Sequence, residues 1–450
     1  MTLGKASCAM ALMLVTAGCG KQASPPEWKY GFWFWNGSSA RAKASVPVDV
    51  LYYHWGTMDS PLVGEWAAED LRDLPPAKEL WLVVRYEGHG VPAPKAIAPM
   101  LQSLQRVQFY PDGRRRQLKI AGLQLDIDSP TRLLPEYAKF LGEVRKGLPP
   151  GFELSITALL DWFRDGTAIN DVIAQVDEFV PQFYDVENSS QRKSGGGIAA
   201  PFVAAKWGPV FNRFKKRFRI GISTFGRVKY LRSPQDSTGG SAGLRLGPEA
   251  HQGELSANPV FHLETSRTDA QEIVVSYSAT RPTRIGWSDF AVGEGFAYTM
   301  ATQESVRAAV EQARQVKGYC GGVIFFRWPG EEDAASMRPD EALAAAGVPG
   351  IEAPSTGELR VLDGGCAAVT CTDLYLLNTV RPNPGPKFVH IDSSAPLEYF
   401  VPNERMPARM SGETRIELTI QPYMRIARGY IGRAVSAIPV TFRMTIEEGR

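Results

Sequence analysis

The chain has 450 residues, 44% apolar and 22% charged, an ordinary globular composition that, at about 150 residues per unit, makes two or three folding units. Disorder and a small disulfide scaffold are excluded. Lys plus Arg number 50 and Asp plus Glu 48, a net charge of +2. That balance gives no long-range field for gathering nucleic acid, so no nucleic-acid partner is expected.

Residues 1–18 carry one early cation, Lys5, then the apolar run Ala9–Val15 and the small residues Thr16, Ala17 and Gly18 ahead of Cys19. This is the layout of an export signal. Small residues before a cysteine resemble a bacterial lipobox, in which cleavage leaves Cys19 as a lipidated N-terminus. Thr16 stands where that motif usually carries Leu, so a cleaved ordinary signal and an uncleaved anchor stay open. The apolar run is shorter than the ~20 residues of a membrane span, and no later segment is long and apolar enough to be one. The expectation is a signal peptide over 1–18, a tether over 19–28, and a body held by lipid in the cell envelope, on the periplasmic face of the outer membrane.

Eight β-rich runs follow: Gly31–Asn36, Val48–Trp55, Glu79–Glu87, Leu118–Asp128, Phe152–Trp162, Val176–Asp185, Phe218–Phe225 and Gly321–Trp328. Helical patterns separate most of them. In Pro135–Lys146, for example, Tyr137, Phe140, Leu141 and Val144 recur at spacings of three and four. Strand alternating with helix implies parallel strands joined by crossovers. Eight units favour an α/β fold of the closed (β/α)8 TIM-barrel type over 29–335 rather than an open sheet. The gap from Asn36 to Val48 is too short for a full helix. The stretch from Arg227 to Val316 is too long for one crossover and includes the β-like run Glu272–Ser278, so an insertion is expected after strand 7, over about 231–300.

From 354 to 450, short β-like runs (Leu359–Leu362, Leu374–Leu377, Arg415–Ile420, Ile438–Met444) separated by turn residues indicate a C-terminal β-sandwich. In an oxidising compartment Cys366 and Cys371 are close enough in sequence to bridge a short loop, with two free thiols as the alternative. Cys320, ahead of an apolar run, reads as a buried thiol. The five histidines, His54, His89, His251, His262 and His390, show no close ligand spacing. Neither a metal site nor a cofactor is expected.

In such a barrel the working residues sit at the C-terminal ends of the strands. Reading each run to its end collects Asn36, His54, Arg85 with Glu87, Asp126 with Asp128, Asp161 with Trp162, Gln182 with Tyr184 and Asp185, Thr224, and Arg327 with Trp328; Trp35 adds an aromatic from the first strand. Carboxylates, aromatics and two arginines around one opening are the equipment of a carbohydrate cleft. The sharpest signal is Gly122–Asp128, where strand alternation puts Gln124, Asp126 and Asp128 on one face. Two strand steps separate the two carboxylates by about 6.6 Å at the backbone. At an effective dielectric near 20 their repulsion is roughly 2.5 kcal/mol, enough to keep a proton on one of them near neutral pH. The alternative is that Asp128 caps the following helix and Asp126 pairs with Arg85 or Arg327. Because both carboxylates lie on one side, a two-sided mechanism would need Asp161 or Asp185 opposite.

Strand 4 resembles the DGxDxDxE signature of chitinase-type family-eighteen glycoside hydrolases. Gly122 and Asp126 match, Ala121 and Gln124 stand where that signature has Asp, and Asp128 stands where it has the acid Glu. Tyr184 and Asp185 resemble the YD of that family's strand-6 motif. The stretches Tyr298–Arg307 and Gly321–Trp328 look like its last helix and strand, with Trp328 resembling the floor of the sugar subsite. The likeness covers roughly Lys29 to Glu332, and a bacterial lipoprotein family of the same barrel type fits it. The resemblance implies that an acetamido group of the substrate attacks its own anomeric carbon, with Asp126 steadying it, Tyr184 and Asp185 helping, and Asp128 protonating the leaving oxygen. Gln182, Asp161, Trp162, Glu87, Arg85, His54, Trp35 and Arg327 would line the substrate, a polysaccharide or oligosaccharide. An Asp carboxyl is drawn back by about 1.5 Å relative to Glu, and a misplacement of about 1 Å costs about a hundredfold in rate. Two functions therefore stay open: a membrane-tethered hydrolase of an envelope or N-acetylated polysaccharide, and a non-catalytic envelope lipoprotein that holds glycan or protein.

Overall fold

The computed structural model describes residues 26–35, 48–58, 71, 74–107, 119–184, 200–231, 255, 258–285, 288–329, 336–351, 357–379, 387–403, 406, 408–420 and 426–448. The expected signal peptide, Cys19, most of the tether, Asn36 and Asp185 lie outside them. Among the described residues no helix is long and apolar enough to cross a membrane.

Seven strands come first: β1 (Lys29–Phe34), β2 (Val48–Thr57), β3 (Ala77–Tyr86), β4 (Ile120–Ile127), β5 (Glu153–Ala158), β6 (Glu178–Pro181) and β7 (Arg217–Ser223). The chain then forms an inserted set of strands, β8 (Arg227–Leu231), β9 (Phe261–Arg267), β10 (Ile273–Ala279), β11 (Thr283–Ile285), β12 (Ser288–Phe290) and β13 (Gly295–Met300), before returning as β14 (Cys320–Phe326). Strands β1 to β7 pair in parallel, each with the next, and β14 pairs with both β7 and β1, closing an eight-stranded barrel. Its helices include α1 (Ile97–Val107), α2 (Leu134–Gly147), α3 (Ile169–Ala174), α4 (Ala204–Asn212), α5 (Gln303–Gln315) and α6 (Pro339–Ala345). The α/β barrel expected from the alternation of strand and helix is the fold that forms.

Strand alternation sorts the barrel residues into two layers. Phe32, Phe34, Leu82, Leu125, Phe179 and Phe325 point outward into the core shared with the helices, which α2 enters with the stripe Leu134, Tyr137, Phe140, Leu141 and Val144. Trp33, Tyr52, Trp81, Val83, Val180 and Ile324 point inward. Burial on both faces explains why these strands read as continuous apolar runs. The interior is filled by large rings because glycine stands opposite them. A Cβ at Gly221 would lie 3.0 Å from Tyr184 Cε1 and 3.1 Å from Trp33 Cη2.

The N-terminal end of the barrel is closed by charge. Glu178, fully buried, accepts from Arg217 Nε at 2.7 Å, Arg219 Nη1 at 2.9 Å and Ser155 Oγ at 3.3 Å, and also from the Tyr52 hydroxyl. Arg219 Nη2 lies 3.4 Å from Glu79, which holds Lys29 at 2.6 Å. Burial drives the Glu79 carboxyl upward, but Lys29, Arg219 and Arg217 outweigh it and hold it below its ordinary range.

The insertion makes a four-stranded antiparallel sheet in the order β8-β13-β10-β9, with β11 and β12 as a separate ribbon. Val275, Tyr277, Phe290, Phe296 and Tyr298 form its own core. Tyr298, expected in the last barrel helix, is therefore in a strand; α5 starts at Gln303, capped by Thr302, whose side chain accepts from Ser305 N at 3.0 Å.

The C-terminal strands are β15 (Glu358–Asp363), β16 (Thr370–Thr379), β17 (Lys387–Ser393), β18 (Tyr399–Pro402), β19 (Ala408–Met410), β20 (Arg415–Ile420), β21 (Ile426–Ser436) and β22 (Phe442–Glu448). They form two antiparallel sheets, β15-β16-β21-β18 and β19-β20-β17-β22. Leu374, Leu376 and Ile431 from the first meet Val389, Ile391, Ile416 and Leu418 from the second in one core, the packing of a sandwich. Ile438, expected at the head of the last strand, is instead exposed ahead of β22. Cys366 and Cys371 are joined by a disulfide with Cα atoms 5.5 Å apart, and Cys320 is a buried free thiol pushed up to about 11 by its burial.

Candidate functional site at the barrel mouth

The inward positions nearest the C-terminal ends of the strands are Trp35, His54, Arg85, Asp126, Thr157, Gln182 and Phe326, and they converge. Asp126, 5% exposed, ends the inward row of β4. Its Oδ2 accepts from Arg85 Nη1 at 2.7 Å, and its Oδ1 accepts from Thr157 Oγ1 at 2.8 Å and from Gln182 Nε2 at 3.5 Å. One layer below, Gln124 accepts from Trp33 Nε1 at 2.7 Å and donates to Ser155 at 3.1 Å. From this lower layer Ser155 donates on to Glu178 at the base, at 3.3 Å.

Asp128 lies just beyond β4, 49% exposed, with Arg85 Nη2 at 3.9 Å. Glu87 approaches Arg85 Nε at 3.6 Å. The two aspartates are therefore not a bare like-charge pair. A guanidinium reaches both. Burial works against the charge on Arg85, but Asp126, Asp128 and Glu87 together raise it above its ordinary value.

Rings line the rest of the opening. Tyr184 stacks on Phe326 with centroids 4.3 Å apart and meets Trp33 edge-on at 5.5 Å. Trp35 meets His54 edge-on at 4.4 Å and lies beneath the Arg85 guanidinium at 5.9 Å. Arg327 sits over the Phe225 ring at 5.9 Å. Burial lowers the His54 imidazole to about 4, with Asp126 opposing and Arg85 assisting. Its Nε2 lies 3.4 Å from Thr57 Oγ1.

Three expected site residues sit elsewhere. Trp328 is 2% exposed and packs against Phe32 and Phe34 in the outer core, at 5.3 and 5.9 Å, so it is no floor of the mouth. Trp162 is fully buried, donates from Nε1 to Ser129 O at 2.9 Å and meets Tyr137 edge-on. Both were placed at strand ends by reading a run to its last aromatic, whereas the chain had left the sheet. Asp161 lies on the turn after β5 and accepts from Thr131, tying the loops after β4 and β5 together rather than joining the Asp126 network. Phe326 and Thr157 were missed as site residues. Strand parity was the signal that finds them: Phe326 follows inward Ile324 by two, and Thr157 follows inward Ser155 by two.

An opening that offers ring faces beside a carboxylate and a guanidinium can stack the C–H faces of a sugar and hydrogen-bond its hydroxyls. Among the described residues no three His, Cys, Asp or Glu side chains group so as to hold a metal ion.

Residues 78–265 match a family described as a domain of unknown function, DUF3142; the match runs from β3 into β9. None of the curated proteins compared matches the chain. Among solved structures the chain is similar to a cell-surface-expressed multi-modular chitinase of Paenibacillus, at 12% identity over 92% of this chain and 54% of that one, TM-score 0.42. It is also similar to a family GH18 chitinase of Chromobacterium violaceum, at 10% identity over 93% and 88%, TM-score 0.44. A third is the spore cortex-lytic enzyme of Bacillus cereus, at 13% identity over 68% and 71%, TM-score 0.42. The chain spans 54% of the length of the Paenibacillus enzyme.

Proposed function

We propose that the barrel mouth binds a polysaccharide chain and holds it without cutting it, in a protein exported to the cell envelope and anchored by lipid at Cys19. The observation that carries this is the Arg85 guanidinium shared by Asp126, Asp128 and Glu87. A general acid must hold its proton at the working pH. Asp128 is half in water with Arg85 Nη2 at 3.9 Å, a cation that favours its charged form. Asp126 is committed to Arg85, Thr157 and Gln182, an arrangement suited to orienting polar groups on a ligand.

The test is calorimetry with chitooligosaccharides and peptidoglycan glycan strands, together with an assay for new reducing ends from pH 5 to 8. Binding is expected, weakened about fivefold by Trp35→Ala, since an aromatic stacking contact is of the order of 1 kcal/mol. No turnover is expected. A second reading, hydrolysis, draws on the exposure of Asp128, which leaves its carboxyl within reach of a bound chain. Release of reducing ends by the wild type that disappears in Asp128→Asn, with binding retained, would replace the first reading by the second. For the anchor, Cys19→Ser is expected to abolish incorporation of a palmitate label and move the protein out of the membrane fraction; labelling that persists in the variant would rule out the lipid at Cys19.

A further inference from the structure

We infer that the base of the barrel, the end opposite the mouth, docks on an anionic phospholipid surface, so that the mouth opens away from the membrane. Strands β1, β14 and β7 are neighbours in the barrel, and their N-terminal ends make one sector of that base. Arg213 and Lys215 lie on the turn between α4 and β7, and Lys317 lies on the turn between α5 and β14. Asn212 ties the two turns together: its Nδ2 donates to Lys317 O at 2.8 Å, and its Oδ1 accepts from Tyr319 N at 2.9 Å. All three cations are exposed, and none meets a carboxylate among the described residues. The acids around them are already engaged, Glu153 with Arg217, Glu79 with Lys29 and Asp177 with Arg145. Glu27 is the most exposed acid there, and it lies 3.6 Å from Lys29.

Two observations choose a membrane as the occupant. The first is where the chain enters the fold. A Cβ at Gly321 would lie 3.6 Å from Pro26 Cβ and 3.5 Å from Arg217 Cγ, so Pro26 sits in the same sector as the cations. Pro26 is seven residues on from Cys19, a reach of at most about 25 Å. For this reach the inference rests on the lipid proposed at Cys19, which keeps the cations within a few Debye lengths of the headgroups. Their charge does not depend on it. The second observation is how the cations are presented. Lys215 holds φ 53°, a left-handed conformation that glycine takes more readily, and so puts an ammonium at the tip of its turn. Exposed side chains on flexible stems, spread over two turns, suit a mobile field of headgroups better than one bound anion.

The test uses the full chain with a fluorescent residue placed at Gln315, the exposed last residue of α5 at the base, or in a second protein at Asp165, exposed at the mouth end after β5. Energy transfer to an acceptor on the lipid headgroups is measured on vesicles containing phosphatidylglycerol and on vesicles of phosphatidylcholine alone. Stronger transfer from Gln315 than from Asp165 is expected on phosphatidylglycerol, with the difference collapsing at high salt. Lys215→Gln combined with Lys317→Gln is expected to lower the ratio of docked to free base about fivefold per cation, about twenty-fivefold together, the usual worth of a basic residue at an anionic surface. The salt dependence of the wild type is a readout that needs no variant. Flotation separates this inference from the anchor. A chain that floats with both kinds of vesicle, with Gln315 no nearer the lipid than Asp165 on phosphatidylglycerol, would overturn the inference and leave the anchor standing. A chain that floats only with phosphatidylglycerol, Gln315 nearer, would uphold the inference and remove the anchor. Flotation with neither would overturn both.

Discussion

At the scale of single residues, the mouth is organised by which side chains are charged and which are not. Burial holds His54 near 4, so the imidazole is neutral between pH 5 and 8 and contributes shape and polarity rather than charge. The unfolded chain, with an ordinary histidine near 6.5, takes up a proton that the fold refuses. The His54 contribution to stability is therefore complete above about 6.5 and declines as pH falls toward 4. The expected result of a histidine NMR titration is a His54 resonance that stays put from pH 8 to 5 and moves near 4; a midpoint above 6 would contradict the buried setting. Asp126, Arg85 and Gln182 were readable in the sequence because polar residues at the ends of apolar strands have few reasons to be there. Trp328 and Trp162 misled because a tryptophan after a strand looks the same whether it faces the opening or the helices. Parity along the strand decides, and parity is lost once the chain turns.

At the scale of elements, burial on both faces made the barrel strands visible as apolar runs, and the stripe of α2 made that helix visible. The C-terminal strands were harder. β17 carries Lys387, His390 and Asp392 among its apolar residues, and β21 contains Gly429 and Gly432 beside a register shift opposite Leu374 and Tyr375. Glycine and bulges break the alternation that a sequence reader relies on. The start of α5 shows the converse, a boundary defined by local chemistry. The Thr302 side chain accepts from Ser305 N, while Ser305 Oγ accepts from Thr302 N at 2.9 Å. Thr302→Ala is expected to cost about 1 kcal/mol in denaturant unfolding, the usual worth of such a cap, and Thr302→Ser very little. Equal losses in the two variants would show that the cap is not what holds this end.

At the scale of the molecule, the order of strand and helix told the architecture, because crossovers between parallel strands leave few alternatives. The ion cluster at the base was not foreseeable, since Arg219 and Glu79 are 140 residues apart in sequence and only closure brings them together. Glu178 is its centre. Glu178→Gln leaves Arg219 buried with its main counter-charge gone and is expected to cost about 3–5 kcal/mol, read as a lower urea midpoint for the barrel. An unchanged midpoint would mean that Glu79 alone suffices. Glu79, held below its ordinary range, adds stability in full above about pH 4 that is lost as pH falls through its lowered value.

Below Asp126 the bore is occupied by Trp33, Gln124, Trp81 and Tyr52, and at the bottom by Glu178 with its arginines. The barrel is in effect a cup, with no passage through which a polymer could be threaded. Any ligand of the bore must therefore enter and leave by the same side, and it meets Asp126 and Arg85 before it meets the rings below.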